Sequence, residues 1–172
     1  PICNYNFFLK KWDTYLSMYV TVWAYCLMPN HFHFLVKVMD ENVLKNHMKN
    51  DRHISTFISH QFKNLFISYT KSFNKVFQRN GGLFQKPFKH IRIDSDEYLL
   101  ALIHYIHHNP IHHNFSKNFK DWKYSSYQAI IGDKSTNVDV TGILDLYGGR
   151  NNFIRIHEQM KNYQKIEQLI IE

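Results

Sequence analysis

The apolar residues of this chain change period twice before position 80, and this limits the folds open to it more than any other feature. From Asn6 to Tyr19 the residues Phe7, Phe8, Trp12, Tyr15, Leu16 and Tyr19 recur at helical spacings, which predicts an amphipathic helix. Thr21 to Cys26 is instead rich in β-branched and aromatic residues; Pro29-Asn30 interrupts it, and His31 to Val38 resumes as a second strand. From His53 to Phe77 the helical period returns through Phe57, Ile58, Phe62, Leu65, Phe66, Tyr69, Phe73 and Phe77. The polar stretch from Asp40 to Arg52 specifies no element. Helices interleaved with so few strands predict an α+β sandwich, a small antiparallel sheet covered by helices.

Gly81-Gly82 ends the long helix. The following LFQKPFKHIRI reads as extended or hairpin-like around Pro87, with Lys86, Lys89, His90 and Arg92 as a basic edge. Asp94 and Glu97 have the spacing of a capping box, opening a helix that Pro110 closes. DWKYSSYQAII, residues 121 to 131, leads into a Gly-containing segment and a last helix from Glu158 to Ile170. One domain over residues 1–131, with a C-terminal extension over 132–172 packed on it, is the organisation expected.

A chain of 172 residues, 44% hydrophobic and 16% aromatic, can fill a substantial core, which excludes disorder for most of it. Its formal net charge of +7 favours a polyanion or an anionic surface as partner. No apolar run approaches the roughly 20 residues that cross a bilayer, and the N-terminus does not read as an intact secretory signal, so a cytoplasmic location is the default. Cys3 and Cys26 make neither a disulfide framework nor a zinc knuckle.

Two short constellations carry chemistry. On a strand, His31 and His33 share one face while Phe32 and Phe34 point the other way into a core. Adjacent imidazoles chelate a divalent cation, although an HxH pair is more often two strand histidines with no ligand. In YIHHNP, Tyr105 and Asn109 lie at i and i+4 on one helix face. His31, His33 and Asn109 then make a neutral N,N,O set with open positions for water and phosphate oxygens, which suits Mg2+ or Mn2+, and Tyr105 becomes the nucleophile. The plainer readings are a tyrosine at a helix edge with its hydroxyl in water and a helix-terminal asparagine before proline. His104, His107 and His108 contact phosphate or face water on this reading and take no chemical step.

YCLMPNHFHFLVKV at 25–38, GGLFQKPFKHIRI at 81–93, YLLALIHYIHHNP at 98–110, DWKYSSY at 121–127 and the terminal FIRIH at 153–157 resemble, in this order, the IS200-like single-tyrosine transposases, especially the branch associated with repetitive extragenic palindromes. The resemblance implies a ferredoxin-like sandwich whose usual first strand is missing from this chain. It implies cleavage of single-stranded DNA beside a folded hairpin, with His31 and His33 as the HUH pair, Tyr105 as the catalytic tyrosine and Asn109 as third metal ligand. It also implies a covalent 5′-phosphotyrosine, a free 3′-hydroxyl that later rejoins strands, and no nucleotide cofactor. Family members work as dimers or as monomers, and both states stay open here.

For DNA contact, Lys86, Lys89, His90 and Arg92 are the candidates, with Trp12 or Tyr15 as stacking partners if they are not in the core. Trp122 is expected to pack against the domain, and Ser125 and Ser126 to make local turn bonds. Two functions compete: a metal-dependent single-strand DNA nuclease and strand transferase, or a DNA or RNA hairpin-binding protein without chemistry. Only the first requires the His31, His33, Tyr105 and Asn109 set.

Overall fold

In the computed structural model, residues 3–48, 53–85, 88–133 and 135–159 are described. They form two compact units, one of residues 1–21 and 38–88, the other of 22–37 and 89–172. Together the elements make an α+β layout, with one two-stranded antiparallel sheet and seven α-helices among the described residues.

The first unit is helical. Helix α1 (Cys3–Leu16) buries Phe8, Trp12 and Leu16, a strict i, i+4, i+8 row. The long helix α3 (Ile54–Phe77) answers with Phe57, Leu65 and Tyr69. Phe8 meets Tyr69 edge-on at 5.1 Å, Trp12 meets Phe62 at 5.7 Å, and Lys11 Nζ donates to Ser68 Oγ at 2.9 Å. Trp12 is therefore a core residue and no stacking platform. The short α2 (Glu41–Lys45) occupies part of the stretch that specified nothing in the sequence. Helix α3 ends at Phe77, ahead of the glycines, with Gln78 as its C-cap, whose left-handed backbone (φ 50°) lets Arg79 N bond the Asn74 carbonyl.

The second unit holds most of the sheet. Strand β1 (Val20–Leu27) alternates, burying Val22, Ala24 and Cys26. Burial pushes the Cys26 thiol up to about 12, so it packs as a neutral apolar group. Strand β2 (Phe32–Val38) pairs along one edge of β1. The other edge of β1 is closed by chain from beyond residue 120: Leu27 N bonds Tyr124 O, Ser126 N bonds Tyr25 O, and Asp139 N bonds Val22 O. Trp122 Nε1 donates to Leu27 O at 2.9 Å, which places this tryptophan as the sequence indicated.

Helix α4 (Asp96–His112) differs from the expected helix in its capping residue and in its C-terminal end. Its N-cap is Ser95, whose Oγ accepts from Tyr98 N, and it continues through Pro110 to His112. A proline within the last turn costs one hydrogen bond, and here Phe115 N and Ser116 N return to its carbonyl at 2.8 and 3.0 Å. A 3-10 turn (Phe119–Asp121) and α5 (Tyr127–Ile131) follow. Helix α6 (Val140–Tyr147) is capped by Asp139, which accepts from Gly142 N at 2.9 Å. A Cβ on Gly142 would lie 2.5 Å from that carboxylate, so a larger residue there would make the capping side chain shift. The last described helix, α7 (Arg150–Gln159), begins eight residues before the predicted one, most of which lies outside the described residues. No helix among the described residues is long and apolar enough to cross a membrane.

Candidate active site

The site is built within the second unit, from the start of β2 and the last two turns of α4. His31 and His33 share a face of β2 with buried Leu35, and this is the face α4 covers. The two faces differ less than the sequence suggested: Phe32 and Phe34 are half-buried, as are His31 and His33, and Phe34 stacks on half-buried Tyr25 at 5.4 Å across the sheet. Ile103 and Ile106, both essentially solvent-free, fix α4 in place.

The four residues of the two constellations meet. The rings of His31 and His33 stand edge to face at 5.2 Å, and Tyr105 packs edge-on against His33 at 5.8 Å. His31 Nε2 lies 3.3 Å from Asn109 Oδ1, while His31 Nδ1 lies 2.8 Å from Asn30 Oδ1. Tyr105 is 4% exposed, so it is not the helix-edge tyrosine in water of the plainer reading, and Asn109, 0% exposed, lies within the helix rather than at its end.

The contacts of His31 test whether a cation fits. A neutral imidazole carries one proton, yet both its nitrogens face amide oxygens. With Nδ1–H donating to Asn30, the Nε2 lone pair points at the Asn109 oxygen, an arrangement that a cation between them, a second proton or a turned amide would relieve. Asn109 Nδ2 is buried without a hydrogen-bond partner as placed. Two imidazole nitrogens and an amide oxygen fit Mn2+ or Mg2+ whose remaining positions go to water and phosphate. No group of three His, Cys, Asp or Glu side chains suited to a metal occurs among the described residues, so the set depends on the Asn109 amide.

Two further histidines, unassigned in the sequence reading, adjoin the site. His112 stacks on Tyr105 at 5.6 Å with 23° between planes, and His113 meets His31 at 4.4 Å. His112 is seven residues after Tyr105, two turns along the same face, a signal hidden by ending the helix at Pro110.

The other histidines of α4 are neither wet nor on a DNA face. His104 and His107 are fully buried and His108 is 7% exposed. His157 Nδ1–H donates to Phe153 O at 2.9 Å, leaving Nε2 to accept from His107 Nδ1 at 2.9 Å; His107 Nε2 then accepts from Ser126 Oγ at 2.8 Å. The Ser126 hydroxyl oxygen in turn accepts from Tyr25 N at 2.9 Å. Ser126 thus makes long-range bonds rather than the expected turn bond, whereas Ser125 does bond locally, to Tyr127 N. Burial, reinforced by the neighbouring imidazoles, drives His107 well below its ordinary range and His104 to about 3; burial holds His157 at about 3 and His108 at about 4. Neutral imidazoles sealed this way are structural.

Of the basic edge, Lys89, His90 and Arg92 are exposed on irregular chain of the second unit rather than on a strand; Lys86 and Pro87 lie outside the described residues.

No family profile and no solved structure matches the chain. Among curated proteins it is 30% identical over 106 residues to one from Haemophilus influenzae named "Putative REP-associated tyrosine transposase". The match covers 60% of this chain and spans 57% of the length of that relative, so the chain is similar to a REP-associated tyrosine transposase over its matched part.

Proposed function

We propose that this chain is a transposase of the REP-associated tyrosine type, a metal-dependent nuclease and strand transferase that acts on single-stranded DNA beside a hairpin. The observation that carries this is the meeting of His31, His33, Tyr105 and Asn109 on one side of β2, with His31 Nε2 and Asn109 Oδ1 at 3.3 Å. The similarity to a protein of that name supports it. No membrane partner is needed, and a DNA substrate fits a reaction in the cytoplasm.

A bound Mg2+ or Mn2+, held by His31, His33 and Asn109, would polarise the scissile phosphodiester and offset charge on its oxygens. The protein's own residues do the rest. Tyr105 Oη attacks phosphorus, an Oη–P bond forms, and the P–O3′ bond breaks. The tyrosine proton is lost and the departing 3′ oxygen gains one, leaving a 5′-phosphotyrosine and a free 3′-hydroxyl. One phosphoester replaces another, so rejoining needs no nucleotide cofactor. A phenol of ordinary pKa near 10 is a weak nucleophile, and its packing against His33 and His112 fixes its direction of attack.

The test incubates the protein with labelled single-stranded DNA carrying a hairpin from the flanks of its own gene, with Mn2+ or with chelator. The expected product is a denaturant-resistant adduct that maps to Tyr105, requires the metal and is absent from Tyr105→Phe. Hairpin binding with no adduct across matched substrates would favour a binding protein without chemistry.

A further inference from the structure

The charge of this protein is distributed unevenly along the chain. The helical unit carries ten Lys and Arg against four Asp and Glu, a formal +6, while the unit holding Tyr105 carries eleven against ten, only +1. Between Arg52 and Ile93 there are eight Lys and Arg and no acidic residue. The excess that a polyanion would feel is thus largely outside the unit that holds the candidate chemistry.

Helix α3 has no Asp or Glu anywhere in its 24 residues. Its exposed positions run Lys63, Ile67, Lys71 and Lys75 at intervals of four, one ridge about 18 Å long with a rise of about 6 Å per step. None of these three lysines pairs with a carboxylate among the described residues, unlike Lys45 with Glu41 or Lys120 with Glu158. At the end of the ridge Arg79 lies over the Phe73 ring at 5.7 Å, and Phe73 packs on Phe77 at 4.5 Å. Phe77 is 36% exposed, which leaves it available to a flat ligand beside the last cation.

We infer that this ridge, Lys63, Lys71, Lys75 and Arg79 with Phe77, binds the phosphate backbone of a nucleic-acid strand, with Phe77 stacking on a base. Unpaired lysines in a row grip successive phosphates without reading sequence, and an aromatic at the end adds stacking that every base satisfies. The inference takes its class of ligand from the reading above but does not depend on the chemistry of Tyr105.

The experiment measures affinity of the whole protein for a fluorescent single-stranded oligonucleotide at a series of salt concentrations. Parent, Lys71→Gln/Lys75→Gln and the control Lys117→Gln/Lys123→Gln, two exposed lysines of the other unit, are compared after circular dichroism confirms equal folding. Removing one lysine–phosphate pairing lowers the slope of log K on log salt by about 0.7. The ridge variant should therefore show a slope shallower by about 1.4 and bind at least several-fold more weakly, with the control close to the parent. Equal slopes for parent and ridge variant, or an equal change in the control, overturn the inference. So does binding to phosphatidylcholine–phosphatidylserine vesicles with none to the oligonucleotide. Tyr105→Phe keeps the parent slope, so a missing adduct with an altered ridge slope refutes the proposed chemistry alone.

Discussion

Asn109 shows most plainly what one residue contributes to this site. Its carbonyl oxygen stands at the distance from His31 Nε2 that a shared cation would relieve, and its Nδ2 already lacks a partner. Asn109→Ala therefore removes the proposed metal ligand while leaving no new buried donor unsatisfied, so the stability cost should stay within about 1 kcal/mol. Metal affinity should suffer more, by about tenfold or greater. Titrating Mn2+ into the free protein and following paramagnetic broadening of the His31 and His33 imidazole resonances separates the two effects. An unchanged titration in the variant would remove Asn109 from the ligand set. The spacing of i, i+2 on a strand and i, i+4 on a helix made these residues legible in the sequence, because both periods fix which side chains share a face. How evenly the two faces are buried was not legible, since Phe32 and Phe34 outrank histidine on any hydrophobic scale, yet all four side chains are half-buried and the buried residue of the strand is Leu35, on the histidine side.

At the scale of an element, α4 explains why helix ends were the weakest part of the sequence reading. Asp94–Glu97 and Ser95–Tyr98 are one residue apart, and both present a capping oxygen; local chemistry does not choose between them. Ser95 is the cap, with its Oγ accepting from Tyr98 N at 3.2 Å. Ser95→Ala should cost about 1 kcal/mol and lower the melting temperature by roughly 2–4 °C, whereas Asp94→Ala, which caps nothing here, should leave thermal unfolding within a degree or so. Equal losses from both variants would refute this cap assignment. At the other end, proline statistics favour stopping at Asn109, but Asn109 and Pro110 are both buried, and the two amides returning to the Pro110 carbonyl offset the lost bond. That extra turn is what sets His112 on Tyr105. The aromatic periods of α1 and α3, by contrast, located those helices to within a few residues because each buried face was written in large side chains.

Across the whole molecule, twelve histidines serve opposite purposes, and pH should tell them apart. His31 and His33 lie at the candidate site, while His104, His107, His108 and His157 are packed away as neutral groups. In the Ser126–His107–His157–Phe153 relay each imidazole gives one hydrogen bond and takes one, so a second proton on either ring removes an acceptor that its neighbour needs. The unfolded histidines titrate near 6.5, and His104, His108 and His157 when folded at about 3 to 4. Between those values the unfolded chain binds more protons than the folded one, so stability is complete above about pH 6.5 and falls as the pH drops toward 4. Each such histidine adds to the loss, which is large against a typical total stability of about 5–15 kcal/mol. The urea midpoint followed through tryptophan fluorescence should therefore hold steady from pH 8 to 7 and drop steeply between about pH 6 and 5. His157→Phe, which takes one titrating ring out of the cluster, should flatten that drop by about one proton. A midpoint that stays level down to pH 5 would mean that these imidazoles are not sealed from water, and the relay would then lose its place as the structural tie between α4 and α7.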